Sequence, residues 1–128
     1  MKKKTVLIHS NFTRAFTGFG KNKKNIMRYL YDTGKYNLIE LANGIEWEAP
    51  STKLLPWTCR GSLPKPQEMQ GLTPEQQREQ GYGSKLVDRA IKEFKPDVYI
   101  GMEDIWAFNG YHTKPWWNKV NTMVWTTL

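Results

Sequence analysis

Residues 4–41 of the chain read KTVLIHSNFTRAFTGFGKNKKNIMRYLYDTGKYNLIEL, and this stretch decides the fold. Apolar residues follow one another within 4–9, as they do in a short buried strand. The polar and aromatic segment 10–20 predicts a loop that ends in two glycines. Apolar residues then recur at helical spacing until Gly34, a common residue just past a helix end. Residues 36–41 predict a second strand, so the stretch forms a strand–loop–helix–strand unit with two parallel strands.

The middle of the chain is less regular, but it still contains a strand and a helix start. Residues 53–58 predict a third strand, and Pro56 places it near an edge of the sheet because proline has no N–H to donate. Thr73 and Gln76 can form a capping box around Pro74. This pattern predicts that a helix begins there.

The last third of the chain continues the alternation of helices and strands. Gly81 and Gly83 leave open whether one bent helix or two shorter helices follow the capping box. A clear apolar stripe ends before Pro96, which stops the helix, and residues 97–101 and 122–127 predict a fourth strand and a central fifth strand. The whole pattern predicts one α/β domain, a Rossmann-like three-layer fold with a mainly parallel sheet of about five strands.

Composition limits the class of protein. The chain has 128 residues and 39% hydrophobic residues, which suits a single domain with a real core. No apolar run approaches the ~20 residues of a membrane-spanning helix, and the apolar run after the amino-terminal lysines is too short for a secretory signal. The single cysteine, Cys59, cannot form an internal disulfide and is expected to be a buried or inert thiol. These features predict a cytoplasmic location without a membrane span.

The formal net charge is +7, from 19 basic and 12 acidic residues. Lysines gather at 2–4 and at Lys21, Lys23 and Lys24. The simpler interpretation is that these are a solvated chain end and one solvated helix turn. The functional interpretation is that a phosphate-bearing ligand binds near the second cluster. The overall charge and the richness in aromatic residues also leave a nucleic-acid-associated protein open.

A glycine-containing loop precedes the first helix. Its residues are Thr17, Gly18, Phe19, Gly20 and Lys21. Two glycines allow tight turns, and the free amides of a helix amino terminus favour an anion. Lys23 stands where a dinucleotide-binding fingerprint needs its third glycine, and no Gly-Lys-Ser/Thr sequence occurs at P-loop spacing. The loop is therefore either an anion-binding turn of another kind or only a tight turn.

Candidate site residues follow the predicted strands one and four, at the sheet edge where ligands bind in such folds. Glu103 and Asp104 could orient a sugar hydroxyl or act as a base. Alternatively, Asp104 caps a short helix while Trp106 packs into the core. His9 ends strand one, either as a site residue or as a structural histidine, and His112 lies in an exposed-looking loop.

Taken in order, these motifs resemble the amino-terminal half of GT-B glycosyltransferases, especially the large retaining group that includes sucrose and glycogen synthases. The resemblance rests on strand one and the glycine loop, the amphipathic helix after it, and four later segments: Tyr82-Gly83 with Leu86 and Ile91, Lys95-Pro96-Asp97-Val98, Asp104-x-Trp106 and Val124-Trp125-Thr126-Thr127. It covers nearly the whole chain but about half of such an enzyme. Each motif is short, so the order of the motifs carries the resemblance.

The resemblance implies transfer of a glycosyl group from a nucleotide sugar to an acceptor hydroxyl. It implies that residues 17–21 lie against the donor phosphates and that the loop after strand four faces the acceptor, with Trp106 and His112 on the acceptor side. The catalytic candidates are Glu103, Asp104 and His9, although Glu103 and Asp104 stand where family members often have a histidine. No tightly bound cofactor or metal is implied, since the nucleotide sugar is the donor substrate.

The partners expected from the resemblance include the other half of the enzyme. The sequence ends at Leu128, just after the predicted fifth strand, which suggests a truncated or split protein completed by a carboxyl-terminal donor domain or a second chain. The chain alone is then expected to be inactive, and a homo-oligomer is a further option. The alternative function is a non-enzymatic phosphate- or nucleotide-binding module, or a nucleic-acid-associated α/β protein.

Overall fold

The computed structural model describes residues 3–13 and 18–126, and its sheet has five parallel strands. The strands are β1 (Lys4–Asn11), β2 (Tyr36–Glu46), β3 (Thr58–Leu63), β4 (Val98–Met102) and β5 (Asn121–Trp125). They lie in the order β3-β2-β1-β4-β5. The strand order reverses beside β1, and in such sheets ligands bind beyond the carboxyl ends of the strands at this reversal. The Rossmann-like α/β fold is therefore as the sequence predicts.

Three α-helices cover the two faces of this sheet: α1 (Gly18–Thr33), α2 (Pro74–Gly81) and α3 (Leu86–Phe94). Met27 of α1 is fully buried against Ile8 of β1 and its neighbours on one face, whereas Val87 of α3 is fully buried on the other face. Each such burial stabilises the fold by about 1.5–3 kcal/mol. The connections contain short 3-10 helices at Pro50–Leu54, Pro66–Met69, Ile105–Phe108 and Tyr111–Thr113.

The predicted capping box at the start of α2 is confirmed. The Gln76 N–H donates to the Thr73 hydroxyl at 3.1 Å, and the Thr73 N–H donates to the Gln76 side-chain oxygen at 3.0 Å. The glycines after it separate two helices, so the interpretation as two shorter helices is correct. The second of them, α3, ends at Phe94 and is capped by Lys95, which adopts the left-handed conformation (φ 46°) directly before Pro96.

The third strand was predicted at the wrong place. The chain forms a 3-10 helix at Pro50–Leu54, and β3 begins only at Thr58, although it does lie at an edge of the sheet. Gly61 explains why the true strand was hidden, because glycine is rare in strands. A Cβ at this position would lie 2.0 Å from the backbone oxygen of Glu46, so the close approach of β3 to β2 requires a glycine.

Two further boundaries differ from the prediction. The predicted loop 10–20 is too long, because β1 extends to Asn11 and α1 already begins at Gly18. Glycine's low helix propensity had favoured the later start. The fifth strand is the outermost strand on the β4 side of the described sheet and not a central one. It begins at Asn121, one residue before the predicted start.

Candidate functional site

The carboxyl ends of β1 and β4 bring together residues from both strands and the residue that follows β4. Ser10 near the end of β1 donates its hydroxyl hydrogen bond to the backbone oxygen of Met102 at the end of β4. The next residue, Glu103, is only 4% exposed. This edge is where the sequence analysis placed the candidate site, and strand topology alone brings these residues there.

His9 is the first member of a buried polar network that leads to Glu103. Its Nδ1 lies 2.7 Å from the Tyr99 hydroxyl, and its Nε2 lies 2.8 Å from Oδ1 of Asn43. Asn43 Nδ2 donates to Oε2 of Glu103 at 3.0 Å, and Ser62 donates to Asn43 Oδ1 at 2.6 Å. Because Asn43 must offer its amide hydrogens to Glu103, its oxygen faces His9 and accepts from Nε2–H. The Tyr99 hydroxyl then donates to Nδ1.

This network keeps His9 neutral and changes the acidity of Glu103. Burial lowers the pKa of His9 to about 4, although the hydrogen bond to Asn43 opposes the shift. Burial raises the pKa of Glu103 above the ordinary carboxyl value, again against the effect of Asn43. A carboxyl group with a raised pKa accepts a proton closer to neutral pH, as a general base must. His9, with both ring nitrogens hydrogen-bonded, acts here to hold Asn43 in place.

Gly83, in the turn between α2 and α3, closes over the ring of His9. Its φ is +91°, and a Cβ at this position would lie 2.6 Å from His9 Nε2. The turn therefore needs glycine both for its backbone conformation and for its contact with the imidazole. Gly83 thus ties the helical layer to the polar network.

The glycine-containing segment lies at the amino end of α1, and the structure describes part of it. Thr17 lies outside the described residues, whereas Gly18 and Phe19 open the helix and Gly20 is buried within its first turn. Lys21 is exposed, and the first turn carries no acidic residue. With 16 residues, α1 presents a substantial partial positive charge at this end. The arrangement suits an anion.

A buried ion pair between α1 and β2 was missed by the sequence analysis. Lys23 Nζ lies 2.9 Å from Oε2 of Glu40, and both side chains are fully buried. The interpretation of Lys23 as part of a solvated helix turn is therefore wrong, although Lys21 and Lys24 are exposed. The signal was present at Glu40, a lone carboxylate inside the apolar run of β2. A charge in such a strand requires a buried cation from elsewhere in the chain.

The ion pair also fixes the segment that leaves β1. Glu40 accepts hydrogen bonds from the N–H and the hydroxyl of Thr13 and from Trp57 Nε1. Lys23 Nζ also donates to the backbone oxygen of Ser10 at 3.3 Å. Burial would raise the pKa of Glu40, but Lys23 and Thr13 outweigh this effect and hold the pKa below its ordinary value. Burial lowers the pKa of Lys23 despite the neighbouring carboxylate. Thr13, before residues 14–17, and Lys23, after them, thus contact the same buried carboxylate of Glu40.

The two predicted acceptor-side residues, Trp106 and His112, line the same surface cleft. This cleft has a volume of about 520 Å³ and lies between α2 and residues 105–112. The guanidinium of Arg78 lies 3.9 Å from the centroid of the Trp106 ring, and the Tyr82 ring meets the same indole edge-on. Trp106 is therefore half-buried under other side chains and does not belong to the hydrophobic core, contrary to the alternative considered for it.

Asp104 follows Glu103 directly, and its charge contributes to the raised pKa of Glu103. It precedes the 3-10 helix Ile105–Phe108 and is exposed, but its side chain makes no capping hydrogen bond to that helix. The network thus brings together Glu103 and His9 through Asn43, a residue that the sequence analysis did not name. An asparagine inside a strand, directly after Leu41 and Ala42, was the available signal, because a buried amide needs partners.

The described residues show no arrangement typical of a metal site or a reactive thiol. Three or more His, Cys, Asp or Glu side chains do not come together as metal ligands within residues 3–13 and 18–126. Cys59 is buried, as expected, and burial raises the pKa of its thiol to about 12. Such a thiol stays protonated near neutral pH and is a poor nucleophile.

No protein-family model matches the sequence, and no curated protein matches it. Among the described residues, none of the helices combines the length and the apolar character that crossing a membrane requires.

Proposed function

We propose that this chain is the acceptor-side domain of a GT-B-type glycosyltransferase. Completed by a donor domain, it would transfer a glycosyl group from a nucleotide sugar to an acceptor hydroxyl. The observation that carries the proposal is the position of Glu103. This nearly buried carboxyl group lies at the switch point of the sheet, held by Asn43 from the neighbouring strand. The order of motifs along the chain supports the same assignment.

In this proposal Glu103 is the general base for the acceptor hydroxyl. The Asn43 amide holds Oε2, so the other carboxylate oxygen would receive the hydroxyl. The raised pKa brings proton acceptance towards neutral pH. Asp104, which is exposed beside Glu103, would bind other acceptor hydroxyls.

The amino end of α1 is the proposed site of the donor phosphates. Residues 17–21 would bring the positive end of the α1 dipole and the Lys21 ammonium to the diphosphate, whose developing charge such groups stabilise. The donor is a substrate in this mechanism and not a tightly bound cofactor. The sugar and base of the donor would be bound mainly by the second domain or chain.

The test is an NMR titration of the isotope-labelled 128-residue protein with UDP, ADP and GDP. We expect weak binding that shifts the backbone amide signals of the first turn of α1. Lys21→Gln should weaken it, whereas Lys24→Gln, at an exposed lysine farther along the same helix, serves as the matched control. Shifts confined to another part of the protein would contradict the donor site. Turnover of a nucleotide sugar by the chain alone would contradict its assignment as the acceptor half.

The alternative of a nucleic-acid-associated protein draws on one specific observation. Lys21, Lys24 and Arg28 are all exposed along α1, in a chain with a net charge of +7. Binding of nucleic acid through such a surface should weaken steeply as salt rises. A short DNA or RNA duplex added at 50 and 200 mM salt separates the two functions, because salt-sensitive binding with no response to nucleotides would favour this alternative.

A further inference from the structure

The cleft between α2 and residues 105–112 has a distinctive set of charges. Glu75, Arg78 and Glu79 line one wall, and the guanidinium carbon of Arg78 lies 3.9 Å from the centroid of the Trp106 ring. None of these three side chains forms an ion pair with any residue that the structure describes. The wall therefore offers groups that only accept hydrogen bonds beside a group that only donates them.

The opposite wall is largely apolar. Ile105 is 65% exposed, which is high for an isoleucine, and Phe108, which is itself buried in the core, also lines the cleft. His112 lies at the rim with the imidazole exposed. A ligand that fits must present a C–H surface to one wall and hydrogen-bonding groups to the other.

The charges of the cleft select among ligand classes. An anionic group would face two carboxylates, which disfavours it, and a cationic group would face Arg78, which already covers the Trp106 ring. A hydroxyl group both donates and accepts, so neighbouring hydroxyls can donate to a glutamate and accept from the guanidinium. We propose that this cleft binds an uncharged saccharide, with the ring hydroxyls on Arg78 and Glu79 and the C–H face on Ile105.

This inference rests on the proposed function, in which Trp106 and His112 lie on the acceptor side. It adds that the acceptor carries an uncharged sugar ring and names the residues that select it. Arg78 is a specificity-determining residue in this account, because its guanidinium already rests against the Trp106 ring and less side-chain freedom is lost on binding.

The experiment uses free sugars without a nucleotide. The isotope-labelled protein is titrated with the methyl glycosides of glucose, galactose, mannose and N-acetylglucosamine, and with glucuronate and glucosamine as charged analogues. We expect at least one uncharged glycoside to shift the Trp106 indole N–H signal and the amide signals of residues 75–79 and 105–112. Both charged analogues should bind more weakly than their uncharged parent.

Variants locate the binding and supply a matched control. Arg78→Met keeps the aliphatic stem over Trp106 but removes the guanidinium, and Glu79→Gln removes one carboxylate. Each should weaken binding roughly tenfold, through the loss of a hydrogen bond to a charged group. Arg89→Met is the control, since Arg89 lies 4.2 Å from the Trp47 ring centroid, in the same kind of stack but outside the cleft. Circular dichroism checks that each variant is folded.

Three results would overturn the proposal: no shift in the cleft with any uncharged glycoside, equal or tighter binding of a charged analogue, or full affinity in Arg78→Met. The donor test is independent, because it detects nucleotides at the amino end of α1. If nucleotides bind but no saccharide does, only the assignment of the cleft is wrong. If a saccharide binds but nucleotides do not, the donor site is wrong and the chain is a saccharide-binding domain.

Discussion

Asn43 donates from Nδ2 to Oε2 of Glu103 at 3.0 Å, and this single contact connects β2 to the residue that follows β4. The two residues lie 60 positions apart in sequence. The same amide accepts from His9 and Ser62 on its oxygen side, so its orientation is fixed from both ends. The pKa of Glu103 therefore depends in part on the uncharged side chain of Asn43, which His9 and Ser62 hold in position.

Asn43→Asp tests this dependence. The substitution replaces the donor with a second carboxyl group beside Glu103, so two buried acids then share one site. We expect the apparent pKa of Glu103 to rise further and the free energy of unfolding at pH 7 to fall by about 1–3 kcal/mol. Urea unfolding across pH and carbon-detected titration of the carboxyl group measure the two effects.

The raised pKa of Glu103 fixes the direction in which the free energy of unfolding changes with pH. An acid whose folded pKa is raised binds a proton that the unfolded chain has released, so stability falls as pH rises from the ordinary carboxyl pKa through the raised value. The Asn43→Asp protein should regain stability as pH is lowered through that range. Asn118→Asp, at an exposed site, is the control. Equal pH profiles for the two variants would disprove the role of Asn43.

Lys23→Met tests the buried ion pair. The variant leaves the Glu40 carboxylate buried without its cation, which should lower the free energy of unfolding by about 3–5 kcal/mol. The double variant Lys23→Met with Glu40→Gln should recover a large part of this loss, because the amide oxygen still accepts from Thr13 and Trp57. Lys24→Met, at the exposed neighbouring lysine, should change stability by less than about 0.5 kcal/mol.

Guanidinium unfolding of the four proteins measures these differences. The folded pKa of Glu40 is below its ordinary value, so its contribution is present at neutral pH and is lost as pH falls below the ordinary carboxyl pKa towards the lowered one. A double variant no more stable than Lys23→Met would show that the ion pair is not the cause of the loss.

Local sequence patterns predicted the strands of this protein, but they did not predict the contacts between residues that are distant in the chain. Apolar runs such as the one at 4–9 predicted the strands and the sheet edge, and therefore the neighbourhood of Glu103. The pairing of Lys23 with Glu40 and the contact of His9 with Asn43 join distant parts of the chain, and periodicity carries no signal for such pairs. The third strand was predicted at the wrong residues because Gly61 allows β3 to approach the backbone of β2 closely. Local propensity cannot reveal such a contact.

Gly83→Ala tests the contact between the α2–α3 turn and His9. The new Cβ would meet His9 Nε2 at 2.6 Å and would also strain a backbone with φ +91°. Gly71→Ala provides a matched comparison, because Gly71 has φ +80° and nothing within 4 Å of the added atom. The comparison variant should lose about 1–2 kcal/mol from backbone strain alone. Gly83→Ala should lose clearly more and should shift the His9 imidazole signals, and equal losses in thermal or urea unfolding would contradict the contact.

The neutral state of His9 gives a prediction about acid stability. Its pKa is about 4 in the folded protein and 6.5 when unperturbed, so between these values the unfolded chain binds a proton that the folded protein excludes. Stability should therefore fall as pH drops from 6.5, with a loss from this group of ~3 kcal/mol at pH 4. The imidazole nitrogen shifts of His9 should remain those of the Nε2–H tautomer at pH 6. His9→Gln should remove this part of the pH dependence, whereas His112→Gln, at an exposed imidazole, should retain it. A His9 signal that titrates near 6.5 would show that the network with Tyr99 and Asn43 does not hold the ring neutral.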